Sequence, residues 1–212
     1  MRASTGTGRQ FGRVRAVQPF VAHSSSVRCM ALGRKSAAVL ATGGDDAQVN
    51  VWRVGRPAAL LSLVGSTSGV SAVDFNHAET LLAAGAAGGA LRVFDLAAAG
   101  KVVRNYSQAH RSHVAALDHH PFGGYVVSGS VDTTVRLWDL RRKSCMSAYK
   151  GHSSGVTCVR FSPDGSMVAS GSEAGRIMIW DLTAGKLLHE FKHAGSSGGG
   201  VRGLEYHPND FL

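Results

Sequence analysis

The sequence predicts an all-β chain in which one four-stranded unit of a little over forty residues occurs four times and then begins a fifth. Three observations carry that expectation. Aromatic residues close successive units at Trp52, Phe94, Trp138 and Trp180, at intervals of 42, 44 and 42 residues. A polar marker opens each unit at His23, Ser66, His110 and His152, with a fifth at His193, and a valine follows the first four at Val27, Val70, Val114 and Val156. Between these points the 27 glycines break the apolar pattern into short runs, which suits many brief strands better than helices.

The third unit is the best formed. Tyr125–Ser130 is apolar and β-branched, Val131-Asp132-Thr133 makes a tight polar turn, and Thr134–Leu140 alternates inward Val135 and Leu137 with outward Arg136. The other units share the plan, with Phe161-Ser162-Pro163-Asp164-Gly165 as the clearest turn. The expected boundaries are a basic, disordered start over 1–12, a strand over 13–22, repeats over 23–65, 66–109, 110–151 and 152–192, and a partial repeat over 193–212. Arg2, Arg9, Arg13 and Arg15, with no acid before Asp45, give the start the composition of a transit peptide. The strand-like alternation from Val14 to Val21 argues against that, and the lack of an apolar stretch excludes an ordinary secretory signal.

Composition narrows the classes further. No run of 18 apolar residues offers a membrane span. The three cysteines, Cys29, Cys145 and Cys158, are odd in number and lack CxxC spacing, so they read as small buried hydrophobes in a reducing compartment. A net charge of +9 favours acidic partners. Nucleic acid, an anionic membrane or acidic protein tails all fit such a charge. It is spread along the chain rather than gathered in one run, so the signal is modest, and neither nucleic acid nor a membrane is the expected partner.

A Gly-His opening (Gly151-His152), a Ser-Gly-Ser strand (Ser128–Ser130), an Asp turn and a closing Trp-Asp (Trp138-Asp139) together resemble WD40 repeats, the blades of a β-propeller. The fold expected is therefore a WD40 β-propeller with an incomplete ring. That resemblance implies a buried hydrogen-bonded set in each blade. Counting back from the aromatics places complete sets at His23, Thr42, Asp46, Trp52 and at His110, Ser128, Asp132, Trp138. The fourth repeat has His152, Ser170 and Trp180 but Ala174 in the Asp position. The second has Ser66, Ala84, Gly88 and Phe94, and a looser blade is expected there. In such rings the first strand completes the last blade. Here that blade is missing, so residues 14–21 and the fifth repeat's first strand are both expected to present open edges.

Ser, His and Asp in one group also invite a hydrolase reading. A catalytic triad should occur once, in a cleft with an oxyanion hole, whereas this set recurs at fixed phase and decays in one repeat, as scaffolding does. His110, His113, His119 and His120 lack the Cys or carboxylate partners of a metal site. Ala184-Gly185-Lys186 lacks the remaining letters of a phosphate loop, and Gly6-Thr7-Gly8 precedes no strand–helix unit. No enzyme activity, cofactor or metal is expected.

Turns joining first to second and third to fourth strands share one rim. They carry Arg34, Lys35, Arg53, Arg56, Lys101, Arg141, Arg142, Lys143 and Lys186, against Glu79, Asp95, Asp139, Asp164, Asp181 and Asp210. Arg141-Arg142-Lys143 is the densest local cluster and the expected contact for an acidic partner. The segments VAHSSSVRCMAL, LATGGDDAQVNVW, HPFGGYVVSGSVDTTVRLWDLRRKSC, YKGHSSGVTCVRFSPDG and IWDLTAGKLLHEF resemble the regulatory WD40 subunits of katanin. That implies a non-catalytic, cytoplasmic, microtubule-associated subunit, with an ATPase that severs microtubules and tubulin as partners. The carboxy-terminal region that holds the ATPase in that family is absent from these residues. A rival resemblance is to the WDxR box of cullin-4 ubiquitin-ligase receptors, in Trp138-Asp139-Leu140-Arg141, where Arg141 would meet the ligase adaptor.

Overall fold

Short runs of Val, Leu and Ile bounded by Gly, Asp and Ser turns leave the chain no room for helices, and the computed structural model shows sixteen strands and no helix among the described residues. It describes residues 20–142, 144–192 and 199–207. The first blade comprises β1 (Val27–Leu32), β2 (Val39–Gly44), β3 (Val49–Arg53) and β4 (Ala59–Leu63). The second comprises β5 (Val70–Phe75), β6 (Leu81–Ala86), β7 (Leu91–Asp95) and β8 (Lys101–Tyr106). The third comprises β9 (Val114–His119), β10 (Tyr125–Ser130), β11 (Thr134–Asp139) and β12 (Cys145–Lys150). The fourth comprises β13 (Val156–Phe161), β14 (Met167–Ser172), β15 (Arg176–Asp181) and β16 (Lys186–Lys192).

Each blade is an antiparallel meander with its strands in sequence order. The first strands β1, β5, β9 and β13 stand one beside the next and form the inner edge of an arc of four blades, an incomplete ring. Two irregularities recur in every blade. The pairing of first and second strands skips one residue just after the marker valine, at Arg28, Ser71, Ala115 and Thr157. The pairing of third and fourth strands shifts at the closing aromatic. Such bulges sharpen the local twist and re-aim a side chain. Ser71 and Thr157 accordingly send their hydroxyls across to the next blade, to the carbonyls of Val114 at 2.7 Å and Val201 at 2.5 Å.

The core lies between blades. Val70, Val114, Val156 and Val201 each seat against a glycine of the preceding blade's second strand, respectively Gly43, Gly85, Gly129 and Gly171. A Cβ at any of these glycines would lie 2.5–2.6 Å from the valine Cγ1, so only glycine admits the approach. Residues 199–207 follow the fourth blade without forming a strand, yet Val201 occupies the position of a fifth blade's marker valine.

Two expectations need amendment. The second blade, without its polar set, is packed as closely as the rest: Phe75, Leu82, Leu91, Val93 and Phe94 are all buried. Ala84 and Phe94 replace a hydroxyl and an indole together, so no polar atom is stranded and the site simply becomes apolar. Of the strand expected over Val14 to Val21, residues 14–19 lie outside the described residues, while Phe20 and Val21 are not in a strand; Phe20 packs on Trp52, ring centres 4.6 Å apart. The basic start over 1–12, Lys143, His193 and Asp210 also lie outside the described residues.

Candidate functional site

The polar sets assemble from three elements of one blade. In the third, Trp138 on β11 donates its indole Nε1–H to Ser128 Oγ at 2.8 Å, and Ser128 bonds His110 Nε2 at 2.6 Å. His110 Nδ1 meets Asp132 Oδ2 at 3.0 Å. Because a carboxylate only accepts, the Nδ1 carries the proton and Nε2 accepts from Ser128. Asp132 also accepts the Arg111 N–H and both the N–H and hydroxyl of Thr134. Burial pushes the Asp132 carboxyl up, but these donors and His110 outweigh it and hold the group at about 2. Burial likewise pushes the His110 imidazole below its usual range, with Asp132 opposing it only in part. The first blade repeats the arrangement: Trp52 Nε1 to Thr42 Oγ1 at 2.9 Å, Thr42 to His23 Nε2 at 2.9 Å, and His23 Nδ1 to Asp46 at 2.9 Å.

Ser128 and Ser170 are fully buried, beneath an indole in each case. No substrate can approach either hydroxyl, and what the arrangement does chemically is satisfy three buried polar side chains at once.

The fourth blade keeps Trp180, Ser170 and His152 in the same geometry, at 2.8 and 2.7 Å. With Ala174 where the carboxylate should stand, His152 Nδ1 is buried without a partner among the described residues. Ala174→Asp should therefore stabilise the protein by about 1–2 kcal/mol, by supplying the charged acceptor of that N–H. A thermal melt no higher than that of the parent protein would refute this.

A charged cluster that the sequence did not announce lies at the inner edge. Asp74 on β5 accepts the backbone N–H of His119 at 2.8 Å and its Nδ1 at 3.0 Å. Asp118 on β9 accepts the N–H of Phe161 at 2.7 Å. The remaining oxygen of each carboxylate meets one nitrogen, Nη2 of Arg34, which reaches in from the β1–β2 turn. Burial, the neighbouring Asp74 charge and only partial relief from Arg34 raise the Asp118 carboxyl above the usual range. A cavity of about 560 Å³ opens over the cluster, walled by Met30, Leu32, Pro121, Pro163 and Tyr206. Arg34, expected as a rim charge, is thus an inward clasp over three blades. The histidines considered for metal are placed apart: His119 on Asp74, and His120 on the Gly165 carbonyl at 3.1 Å. No group of three potential ligands occurs among the described residues.

The rim charges are sorted by their turns. Asp95, Asp139, Asp164 and Asp181 each accept backbone N–H groups of their own turn, and Glu79 accepts those of Lys35 and Ser36. Arg53, Arg56, Lys101 and Lys186 have no ion pair among the described residues. The β11–β12 turn is anchored on β8, where Tyr106 donates its hydroxyl to the Arg142 carbonyl at 3.0 Å and Arg104 donates to that of Arg141 at 3.2 Å. Arg142 is left largely exposed, with a loose 3.7 Å contact to Asp139.

Comparison with known proteins agrees with this architecture. The chain matches the WD40 family model (WD domain, G-beta repeat) over residues 14–53, 58–95, 100–139 and 143–181. It is 53% identical over 77 residues to a katanin p80 WD40 repeat-containing subunit B1 homologue of Arabidopsis thaliana, covering 36% of this chain and 9% of that protein. It is 46% identical over 76 residues to the katanin p80 WD40 repeat-containing subunit B1 of Danio rerio, covering 36% of this chain and 11% of that protein. The angio-associated migratory cell protein of Homo sapiens is 30% identical over 126 residues, 59% of this chain and 28% of that protein. The matched stretches are thus a small part of these relatives. Four family-model matches, laid over four blades of which three share the Trp–Ser/Thr–His geometry, establish that the chain belongs to the WD40 repeat family.

Proposed function

We propose that the chain is a non-catalytic WD40 scaffold of the katanin regulatory type, which targets and modulates a microtubule-severing ATPase at the cytoskeleton. The observation that carries this reading is the identity of about half the residues, over a third of the chain, to proteins named as katanin p80 subunits. The burial of the hydroxyl and imidazole of each set, Thr42 with His23, Ser128 with His110 and Ser170 with His152, supports a scaffold rather than an enzyme. The basic rim supports an acidic partner surface such as tubulin, because its carboxylates are engaged by turn N–H groups while most of its cations face solvent.

The test is co-sedimentation of the full chain with microtubules across a salt series, beside a variant with Arg141, Arg142 and Lys143 all changed to Ala. The variant should bind roughly tenfold more weakly at low salt, with a flatter salt dependence. Equal affinity at low salt would remove the cluster from the contact. Co-purification of a katanin ATPase with the tagged chain tests the remainder of the reading.

A further inference from the structure

The basic turn between β11 and β12 leads directly into a serine. Arg141 and Arg142 are the only adjacent arginines in the sequence, and they stand three and two residues before Ser144. A hydroxyl preceded in this way is what an arginine-directed protein kinase selects, because carboxylates in its cleft accept planar guanidinium groups through paired hydrogen bonds. Arg141, Arg142 and Ser144 are all exposed, and the Ser144 hydroxyl donates to none of the described residues. Arg142 has only its 3.7 Å contact to Asp139, whose carboxylate already accepts the Arg141 N–H at 2.8 Å. Ser36 makes the contrast. It too follows basic residues, Arg34 and Lys35, but its hydroxyl donates to Glu79 Oε2 at 2.7 Å and Arg34 is turned inward onto Asp74 and Asp118.

The backbone at Ser144 is also the part of the third blade that leaves it most easily. β12 is an outermost strand, bonded on one side only, to β11. Its register shifts at the closing aromatic: Leu137 pairs with Ser147 and Trp138 with Cys145, so Met146 is bulged out and 55% exposed. Residues 144–146 are therefore joined to the sheet by a single pairing, and a strand end held so lightly frays at little cost. In the turn itself Tyr106 and Arg104 grip only the carbonyls of Arg142 and Arg141, which leaves both guanidinium groups outside.

We propose that Ser144 is the acceptor of an arginine-directed protein kinase, and that its phosphate switches off the contact of this turn with an acidic partner. The second part rests on the reading of Arg141 and Arg142 as such a contact. In the transfer, Ser144 Oγ attacks the γ-phosphorus of magnesium-bound ATP. An O–P bond forms, the bond from that phosphorus to the β,γ-bridging oxygen breaks, and ADP departs with the electron pair. The hydroxyl proton passes to the carboxylate base of the kinase. The product sets about two negative charges and three acceptor oxygens beside two guanidinium groups. The phosphate pairs with them within the turn, cancels their charge and puts an anion where an acidic partner would approach.

Incubation of the folded full chain with the catalytic subunit of cyclic-AMP-dependent protein kinase, ATP and magnesium tests this, with the modified position mapped by mass spectrometry. Ser144 should take the phosphate ahead of every other described serine or threonine, Ser36 included. Changing Arg141 and Arg142 to Ala should slow that modification at least roughly tenfold, through the loss of two charge-assisted contacts. Treated and untreated chains are then compared for retention on immobilised polyglutamate and for co-sedimentation with microtubules. The phosphate should weaken both roughly tenfold at low salt, while Ser144→Ala taken through the same treatment stays at the untreated level. A Ser144 left unmodified on the folded chain, or modified as fast without the two arginines, overturns the acceptor site. Retention on polyglutamate that ignores the phosphate overturns the switch. A chain that shows the switch on polyglutamate yet never binds microtubules upholds this proposal and removes tubulin as the partner.

Discussion

Replacing Arg34 with Met should destabilise the protein by about 3 kcal/mol, the lower end of the range for breaking a buried ion pair, because part of the guanidinium still faces water. The loss comes from the partners rather than from Arg34 itself. Asp74 and Asp118 are almost completely buried and share this one cation across the seam between the second and third blades. Without it two carboxylates face each other in a site that already disfavours the charge on Asp118. The pH dependence follows from that direction. A carboxyl held above its ordinary value binds its proton more tightly in the fold than in the unfolded chain, so its penalty shrinks as pH falls through the carboxylate range. The gap in melting temperature between Arg34→Met and the parent should therefore be widest near neutral pH and narrow in acid. A constant gap would show that lost packing of the arginine stem, not the charge, sets the effect.

Ser128→Ala should rank next, at about 2–4 kcal/mol, because one hydroxyl satisfies two buried groups and its removal strands both, each worth about 1–3 kcal/mol. Trp138 Nε1–H loses its acceptor and His110 Nε2 loses its donor, with Ser128 fully buried between them. Urea unfolding with an unchanged m-value would report the difference cleanly. The second blade supplies the contrast. There Ala84 and Phe94 remove hydroxyl and indole together, so adding Trp138→Phe to Ser128→Ala should recover part of the loss. A double variant no more stable than the single one would contradict this account.

The intrablade plan was legible because it depends on short-range pattern. Strand alternation, turn chemistry and the spacing from Thr42 to Trp52, or from Ser128 to Trp138, are set within one sheet whose register the bulges and turns pin. The missing acceptor at Ala174 could be seen in the sequence for the same reason, and the structure adds only that His152 Nδ1 has no partner among the described residues. The expectation of a loose second blade erred by counting lost polar groups without asking whether they were lost together.

Contacts between blades follow no spacing rule. Arg34 meets a carboxylate 84 residues away, and nothing at position 34 distinguishes it from the arginines that remain on the rim. Nor does the sequence say that the rim acids bend back onto their own turns, or that Val201 takes the place of a marker valine eight residues after its marker rather than four. The sequence by itself determined the repeat, the strands and the polar set of each blade, since these are local and periodic. The tertiary structure alone decided which side chains join one blade to the next. Those partners are chosen by the pitch of the arc, and the pitch exists only once the blades have packed valine against glycine.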